Sequence, residues 1–448
     1  MADIRPFQAL RYNPQRVAPA QVVTQPYDKI TPAMQERYYA ASPYNLVRII
    51  LGRREPSDNT VENVYSRAAT FARDWRKQNI LRQDSAPSIY ACSQTFISPT
   101  SGLKQERRGF IALGRVEDYS AKVVFRHEQT LAKPKADRLD LLRATRAHFE
   151  QLFLLYEDSG EIDSLLAPKP SAPPTIDVTD EYGVANRLWQ ISDPAVISAV
   201  QKAMADRKLV IADGHHRYET ALNFRNENRG AEGAPVRGDA TTRPNPAALD
   251  KNAPYEFVML TFVNMNDPGL VVLPTHRVVH SLKSFSPDEF QQAAREFFEI
   301  EVIDAAMDAA KTTEFLRVRG RHGTAFIAVT ADRAYLLHSP KAAAAKFFTG
   351  LSAQQQSLDV VQLHKCLLEG VLKLSEESIR NQENLSYLRD AAEALERARK
   401  SEADIAFLMN PCPIQKVRDI AFASEVMPQK STDFYPKLLS GLTAYALD

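Results

Sequence analysis

The sequence predicts a mixed α/β protein assembled from more than one lobe. Three observations carry that expectation. Short apolar runs alternate with longer stretches of helical spacing along the whole chain. The chain has 448 residues, too many for one ordinary hydrophobic core. The stretch Leu209 to Leu222 passes from an apolar strand, through a tight polar corner at Asp213 to Arg217, into a helix. In α/β proteins ligands sit at such corners, beyond the carboxyl end of a strand.

The elements follow in order. Residues 1–30 are extended and punctuated by Pro6, Pro14, Pro19 and Pro26, and Val22-Val23-Thr24 reads as a strand feeding a turn at Tyr27-Asp28. Thr31 is placed to cap a helix that opens with Pro32. After the turn Ser42-Pro43-Tyr44-Asn45, the run Leu46 to Leu51 reads as a strand. Residues 60–81 read as a helix with Val61, Val64, Ala68, Phe71 and Trp75 at helical spacing. Ser88 to Phe96 and Arg107 to Val116 flank a Ser101-Gly102 turn and predict a hairpin.

Val123 to Thr130 ends a strand in polar residues, a helix is expected over 137–148, and Gln151 to Tyr156 is a buried strand. A Pro-rich loop at 167–174 precedes the strand Val184 to Ile191 and a helix opened by Asp193-Pro194. The corner helix is expected to end near 227. Residues 229–253, rich in Gly, Pro, Asn, Asp and Thr, are expected as a mobile surface loop placed to act as a lid. Further strands are Tyr255 to Asn264 and one ending at Leu270 to Arg277, and Ser286-Pro287 opens a helix. A strand–helix–strand run spans 299–338, and residues 357–373 form a helix. The end of the chain holds the helix Asp390 to Lys400, the strand Ile405 to Met409, a helix near 413–424 and a tail from Met427 to Lys437 whose aromatics dock it on the body.

Composition narrows the function classes. Hydrophobic residues make up 44% and charged residues 25%, the balance of an ordinary globular protein. The 56 basic and 55 acidic residues nearly cancel, which argues against a dedicated nucleic-acid binder but leaves room for a local basic pocket. The three cysteines, Cys92, Cys366 and Cys412, are far apart, so neither a disulfide framework nor a cysteine zinc site is expected. No long apolar run suggests a membrane span, and the expected location is the cytoplasm.

The corner carries the densest chemistry. A helix N-terminus offers free N–H groups and a positive dipole end that suit a phosphate. Gly214 lets the backbone approach a ligand, and Arg217 can fork two hydrogen bonds to phosphate oxygens. Asp213 could hold Mg²⁺ or accept a substrate proton, or simply cap the helix. His215 and His216 are adjacent, so they do not share a helix face and are poorly spaced to chelate one metal.

Other candidates lie elsewhere. His127-Glu128 at a strand end suits a general base, or is a charged surface end. His276-Arg277 could contact an anion or face water. Lys430-Ser431-Thr432, with Lys437 following, could clamp a phosphate or form a solvated tail. Tyr27 and Asp28 belong to a turn, whereas Arg48 within an apolar run needs a partner or a ligand. No Gly-x-x-x-x-Gly-Lys-Ser/Thr loop, Gly-x-Gly-x-x-Gly fingerprint or Gly-x-Ser-x-Gly elbow is present, which argues against P-loop ATPases, Rossmann dehydrogenases and α/β-hydrolases.

The run Ile211-Ala212-Asp213-Gly214-His215-His216-Arg217-Tyr218-Glu219-Thr220-Ala221 resembles the signature of a widespread prokaryotic family of unknown function, once labelled ParB-like. Gln25-Pro26-Tyr27-Asp28, Ser42-Pro43-Tyr44-Asn45, His127-Glu128-Gln129-Thr130, Leu273-Pro274-Thr275-His276-Arg277 and Met427 to Thr432 fit the same family. The order of the motifs also resembles the ParB/sulfiredoxin superfamily and its free serine kinases. That resemblance implies a ParB/sulfiredoxin-like nucleotide-binding core at 119–283, flanked by α/β lobes at 1–118 and 284–448.

It further implies a kinase that forms O-phosphoserine from L-serine, or phosphorylates a similar hydroxyl compound, using ATP or ADP and Mg²⁺. Glu128 would be the base, and Asp213 would assist it or hold the metal. Gly214, His215, His216 and Arg217 would bind the nucleotide phosphates, helped by His276, Arg277, Lys430, Ser431 and Thr432. His127, Tyr27, Asp28 and Arg48 would meet the substrate. Arg126 stands where those kinases have proline, which weakens that one match. Sulfiredoxin chemistry needs a cysteine in the box, and histidine stands there. A ParB-like nucleotide-binding regulator or NTPase is the first alternative. A metal-dependent hydrolase using His127, His215 and His216 is the second.

Overall fold

The computed structural model describes residues 1–129, 133–167, 172–232 and 250–448. Thr130 of the His-Glu-Gln-Thr motif and most of the stretch expected as a lid lie outside the described residues. The chain divides into two units. The first comprises Met1–Phe125, Thr130–Val271 and Pro436–Asp448, and the second Arg126–Gln129 and Val272–Tyr435.

The first unit is organised by a mixed sheet, nine-stranded among the described residues. Its order is Val124–Phe125, Leu209–Asp213, Leu152–Tyr156, Phe257–Asn264, Lys104–Arg115, Ile89–Ile97, Ala185–Ile191 and Ile176–Thr179. Ile4–Arg5 pairs antiparallel with the end of Lys104–Arg115. Leu209–Asp213 runs parallel to Val124–Phe125, and Phe257–Asn264 parallel to Leu152–Tyr156. The expected hairpin forms, with Ile89–Ile97 and Lys104–Arg115 antiparallel.

Successive strand residues turn to opposite faces, and both faces of the central strands are covered. Phe110 and Ala112 join a core containing Ile162, Val200 and Tyr218, while Ile111 and Leu113 pack with Phe7, Tyr90 and Leu188. This explains why Leu209 to Ala212 is apolar without alternation: all four residues are buried. Val210 and Ile211 are fully buried, each adding about 1.5–3 kcal/mol of transfer free energy.

Several helices start where their caps predict. Thr31, Asp193, Ser286 and Asp390 each accept a backbone N–H of the first turn. Asn63 makes a capping box with Ser66, so that helix runs Val64–Lys77, and Val61, expected inside it, is exposed.

Other expectations are corrected. Val47–Ile50 is a short helix, not a strand. The Asn45 side chain accepts the Val47 N–H at 3.0 Å and donates to the Gln21 carbonyl at 2.8 Å, which nucleates a turn there. A short apolar run fits a buried helix as well as a strand. Pro19–Val22 is likewise a helical turn, and Thr24 makes only an isolated bridge to Ser440. The expected strand at 270–277 breaks at Pro274 into Val271–Leu273 and His276–Val279, so His276 and Arg277 begin a strand.

The second unit holds a six-stranded antiparallel sheet in the order Glu299–Ile303, Ala334–His338, Ala325–Val329, Ile405–Met409, His276–Val279 and Leu385–Leu388. Helices Ala309–Arg319 and Ala391–Arg399 cover one face, burying Leu316, Ala394 and Leu395 against Ile327, Leu336 and Leu408. Phe290, from Pro287–Ala294, packs on the alternate residues Tyr335 and Phe407 at 6.3 and 5.8 Å between ring centres. The helix expected at 357–373 is Asp359–Gln362 followed by a π-helical segment, Leu363–Val371. Among the described residues no helix is long and apolar enough to cross a membrane.

Candidate functional site

The strand Leu209–Asp213 ends in a register shift against Leu152–Tyr156, between Ile211 and Asp213. A bulge of this kind re-aims a side chain, and here it sits directly before the corner. Gly214 follows with φ +95°, a conformation costly for any residue with a Cβ. A Cβ added there would also come within 3.2 Å of the Arg217 guanidinium. The helix His215–Glu232 then begins, anchored by Tyr218, whose hydroxyl donates to the Glu117 carbonyl at 2.8 Å. The corner therefore presents the N-terminus of a long helix with an arginine folded back beside it.

Asp213 Oδ2 accepts from Lys437 Nζ at 2.9 Å, and the two side chains are only 23% and 10% exposed. Burial opposes ionisation of Asp213, but Lys437, Arg217 and Lys29 outweigh it and hold the carboxyl well below the usual carboxylate range. Such a carboxylate is a weak proton acceptor near neutral pH. Its charge is balanced by the cations around it.

Lys437 is itself held in place. Its carbonyl accepts from Gln94 Nε2 at 2.9 Å, and the neighbouring Pro436 carbonyl accepts from Arg107 Nη2 at 2.6 Å. Arg107 is buried, bonds Gln94 and lies 4.7 Å over the Phe153 ring; burial draws its pKa down to about 10.

Arg217 Nη1 donates to the Gln151 carbonyl at 2.7 Å. Burial works against its charge, yet Glu150, Asp213 and Asp28 more than compensate and raise its pKa. Glu150 Oε1 accepts the Tyr27 N–H at 3.0 Å, and Arg138 lies 4.2 Å over the Tyr27 ring. Arg138, Glu150, Arg217 and Thr220 line a cavity of about 50 Å³. Burial lifts the Tyr27 hydroxyl to about 12, so it stays protonated as a donor. Tyr27 and Asp28 thus belong to the same electrostatic cluster as Arg217.

Lys29, Arg217 and Lys437 face Asp213 beside a helix N-terminus, with Arg138, Asp28 and Glu150 in the same cluster. Cations at a helix N-terminus suit a phosphate. They do not suit Mg²⁺, which requires hard oxygen ligands in near-octahedral geometry. The lysine occupies Asp213 Oδ2, and among the described residues no group of three or more His, Cys, Asp or Glu is arranged to hold a metal ion. Asp213, expected as a catalytic group or metal ligand, pairs with Lys437.

Several of the remaining candidates lie in the second unit. His127 is fully buried, with Nε2 at 2.8 Å from Thr432 Oγ1. Glu128 Oε1 accepts both the N–H and the hydroxyl of Thr432, each at 2.9 Å. Arg277 is buried with its nitrogens engaged: Nε on His364 at 3.3 Å, Nη1 on the Thr275 carbonyl and Nη2 on the Lys430 carbonyl at 3.1 Å. Burial lowers its pKa to about 10.

Lys430 contributes that carbonyl from a left-handed backbone with φ +57°, and its side chain is exposed. Ser431 Oγ donates to the Pro428 carbonyl at 2.5 Å. His276 Nδ1 accepts the Met409 N–H at 3.2 Å, and burial draws its pKa down to about 4. Residues 430–432 thus form internal hydrogen bonds of this unit.

Arg48, expected to need a partner or a ligand, packs 4.4 Å over the Tyr39 ring and donates to the Tyr39 carbonyl at 3.0 Å, while its buried Nε has no hydrogen-bond partner among the described residues. His215 and His216 occupy the first helical turn, both half-buried. Lys29, Arg107 and Glu150 escaped the sequence reading, which grouped Arg138 with His127-Glu128 rather than with the corner. Only the burial of Glu150 beside an apolar strand offers a local signal for any of them.

Solved structures resemble the chain at low identity. A conserved hypothetical protein from Pyrococcus furiosus matches at 12% identity and TM-score 0.33, over 70% of this chain and 89% of that one. A free serine kinase in complex with AMP matches at 13% and 0.32, over 70% and 83%. C-terminally truncated SbnI from Staphylococcus aureus matches at 10% and 0.35, over 74% and 85%. No curated protein matches the chain. Residues 4–361 match the model of DUF1015, described as a protein of unknown function, and the chain belongs to that family.

Proposed function

We propose that the chain is a nucleotide-dependent phosphotransferase acting on a small hydroxyl compound, with free L-serine as the first acceptor to test. The observation that carries this reading is the cluster of Lys29, Arg217 and Lys437 around Asp213 at the N-terminus of a long helix. Phosphoryl transfer is accelerated mainly by positioning and by neutralising charge on the transferred group. Donors fixed before the reaction supply both.

In this reading the acceptor oxygen forms a bond to the terminal phosphorus of ATP or ADP. The phosphoanhydride bond breaks, and the acceptor proton passes to a base. The sequence resemblance supports Glu128 as that base, whereas Asp213 orders the cations. Lys437 and Arg217 hold the phosphate, and Gly214 allows its close approach. Divalent metal, where the reaction uses it, would arrive with the nucleotide, since the residues at the corner do not form a resident site.

The test is phosphorus NMR of protein incubated with ATP or ADP and L-serine. The expected result is O-phosphoserine with matching loss of the terminal phosphate, abolished in Arg217→Gln and in Glu128→Gln. Nucleotide turnover without a phosphorylated acceptor, across a panel of small hydroxyl compounds, would replace this reading with an NTPase.

A further inference from the structure

The first unit contains a cavity of about 420 Å³ lined by none of the residues assigned to the corner. Small side chains leave the room for it. Ala69 and Ala72, one turn apart on the helix Val64–Lys77, line it together with Ala144 and Ala147, where the helix Lys133–Thr145 gives way to the strand Ala147–His148. Leu10, Leu81 and Phe149, all buried, complete an apolar floor.

The rim is basic. Arg73, Arg76, Lys77 and Arg146 line it with one acidic side chain, Asp448. Arg73 is matched by the neighbouring Asp74 at 3.3 Å, and Asp448 Oδ2 accepts from Arg76 Nη1 at 2.6 Å. Lys77 and Arg146 are exposed and have no ion-pair partner among the described residues. Lys77 has a local use, since a cation in the last turn of a helix complements its dipole. Arg146 lies beyond the helix, in a left-handed conformation with φ +47°, and its N–H donates to the Leu142 carbonyl at 2.9 Å. Glycine or asparagine ordinarily fills such a capping position, because a Cβ is strained there. The Arg146 guanidinium stands 5.6 Å over the Phe224 ring, and its N–H groups have no acceptor among the described residues.

The same geometry selects the anion. Both helices present their C-terminal ends at the cavity, the negative ends of their dipoles. That disfavours a doubly charged phosphate and leaves the two unmatched cations to balance a single negative charge. Asp448 on Arg76 is already a carboxylate held at this rim. We propose that the cavity binds a small carboxylate with an apolar body, of the kind a medium-chain fatty acid presents. The carboxylate meets Arg146 and Lys77, and the apolar body lies on the alanine-lined floor. Pockets for whole small ligands span about 300–1,000 Å³, so the cavity admits such a molecule entire.

The test is calorimetry on the full chain with octanoate, below micelle formation, against octanol, acetate and octyl phosphate. Octanoate is expected to bind saturably and tighter than all three comparators. Arg146→Gly removes the guanidinium while relieving the backbone, so it should fold as well as wild type and bind octanoate about tenfold more weakly, the worth of one charge-assisted hydrogen bond. Ala69→Leu, at a half-buried position, should fill the cavity and weaken octanoate. Asp448→Asn, which frees Arg76, should tighten it. No saturable octanoate binding, equal affinity for octanol or acetate, tighter binding of octyl phosphate, or wild-type affinity in Arg146→Gly would each overturn the proposal.

Discussion

Replacing Lys437 by methionine removes the ammonium from Asp213 while keeping the apolar stem. The bond is 2.9 Å long and both side chains are largely buried. At that distance the Coulomb attraction of two unit charges is about 6 kcal/mol for an effective dielectric of ~20. Most of this offsets the cost of desolvating the pair. Arg217 and Lys29 also remain to balance the carboxylate. The net loss of stability should therefore be about 1–2 kcal/mol, between the values for exposed and fully buried pairs.

The sign with pH follows from the direction of the Asp213 shift. Its carboxyl lies below the usual range in the folded chain and returns to about 3.9 on unfolding. The unfolded state therefore takes up the proton first, and the stabilisation is complete above pH ~4 and lost as pH falls toward the folded value. Denaturant titrations of wild type and Lys437→Met should differ by a constant amount between pH 5 and 8 and converge below about 4. The variant should also bind nucleotide roughly tenfold or more weakly, the worth of one charge-assisted hydrogen bond. A variant as stable as wild type at neutral pH, or a stability difference that grows on acidification, would refute the assignment of Lys437 to Asp213.

Further outcomes are expected from the same geometry. Gly214→Ala should lose about 1–3 kcal/mol of stability, read by thermal unfolding, because of its positive φ and the approach to Arg217. Thr432→Val should cost about 1–3 kcal/mol, since Glu128 loses a donor and His127 a partner. Thr432→Ser should recover most of that. Arg48→Met should leave nucleotide affinity unchanged and lower stability by about 1 kcal/mol, the scale of its contact with Tyr39. His276 is held neutral by burial, so it contributes stability that is lost as pH falls from about 6.5 toward 4. His276→Gln should flatten the pH dependence of stability in that window.

The local parts of the site were readable because their chemistry is local. An apolar run followed by Asp213-Gly214 and helix-forming residues permits few backbone paths, and the corner has the expected form. Caps at Thr31, Asp193 and Ser286 are equally local. The lysines near 430 are expected as partners of the corner, but which side chains pair depends on contacts distant in sequence. Asp213 and Lys437 are 224 residues apart, and Glu128 and Thr432 are 304 apart. No spacing rule spans such separations.

Charge type also misled where burial decided the outcome. Arg277 reads as an anion contact but is consumed by His364 and two carbonyls. Arg48 reads as needing a partner or a ligand, and Tyr39 is that partner, which the sequence does not name. The helix Val47–Ile50 was hidden because four apolar residues carry too little periodicity to separate helix from strand.

The proposed phosphotransfer requires the corner at Asp213 to Arg217 to seat a phosphate. Calorimetric titration of ATP and ADP into wild type and Arg217→Gln tests that claim most directly. Saturable binding to wild type of at least one nucleotide, weakened tenfold or more in the variant while inorganic phosphate competes, is the predicted result. Absence of binding to wild type, or equal affinity in Arg217→Gln, would contradict it.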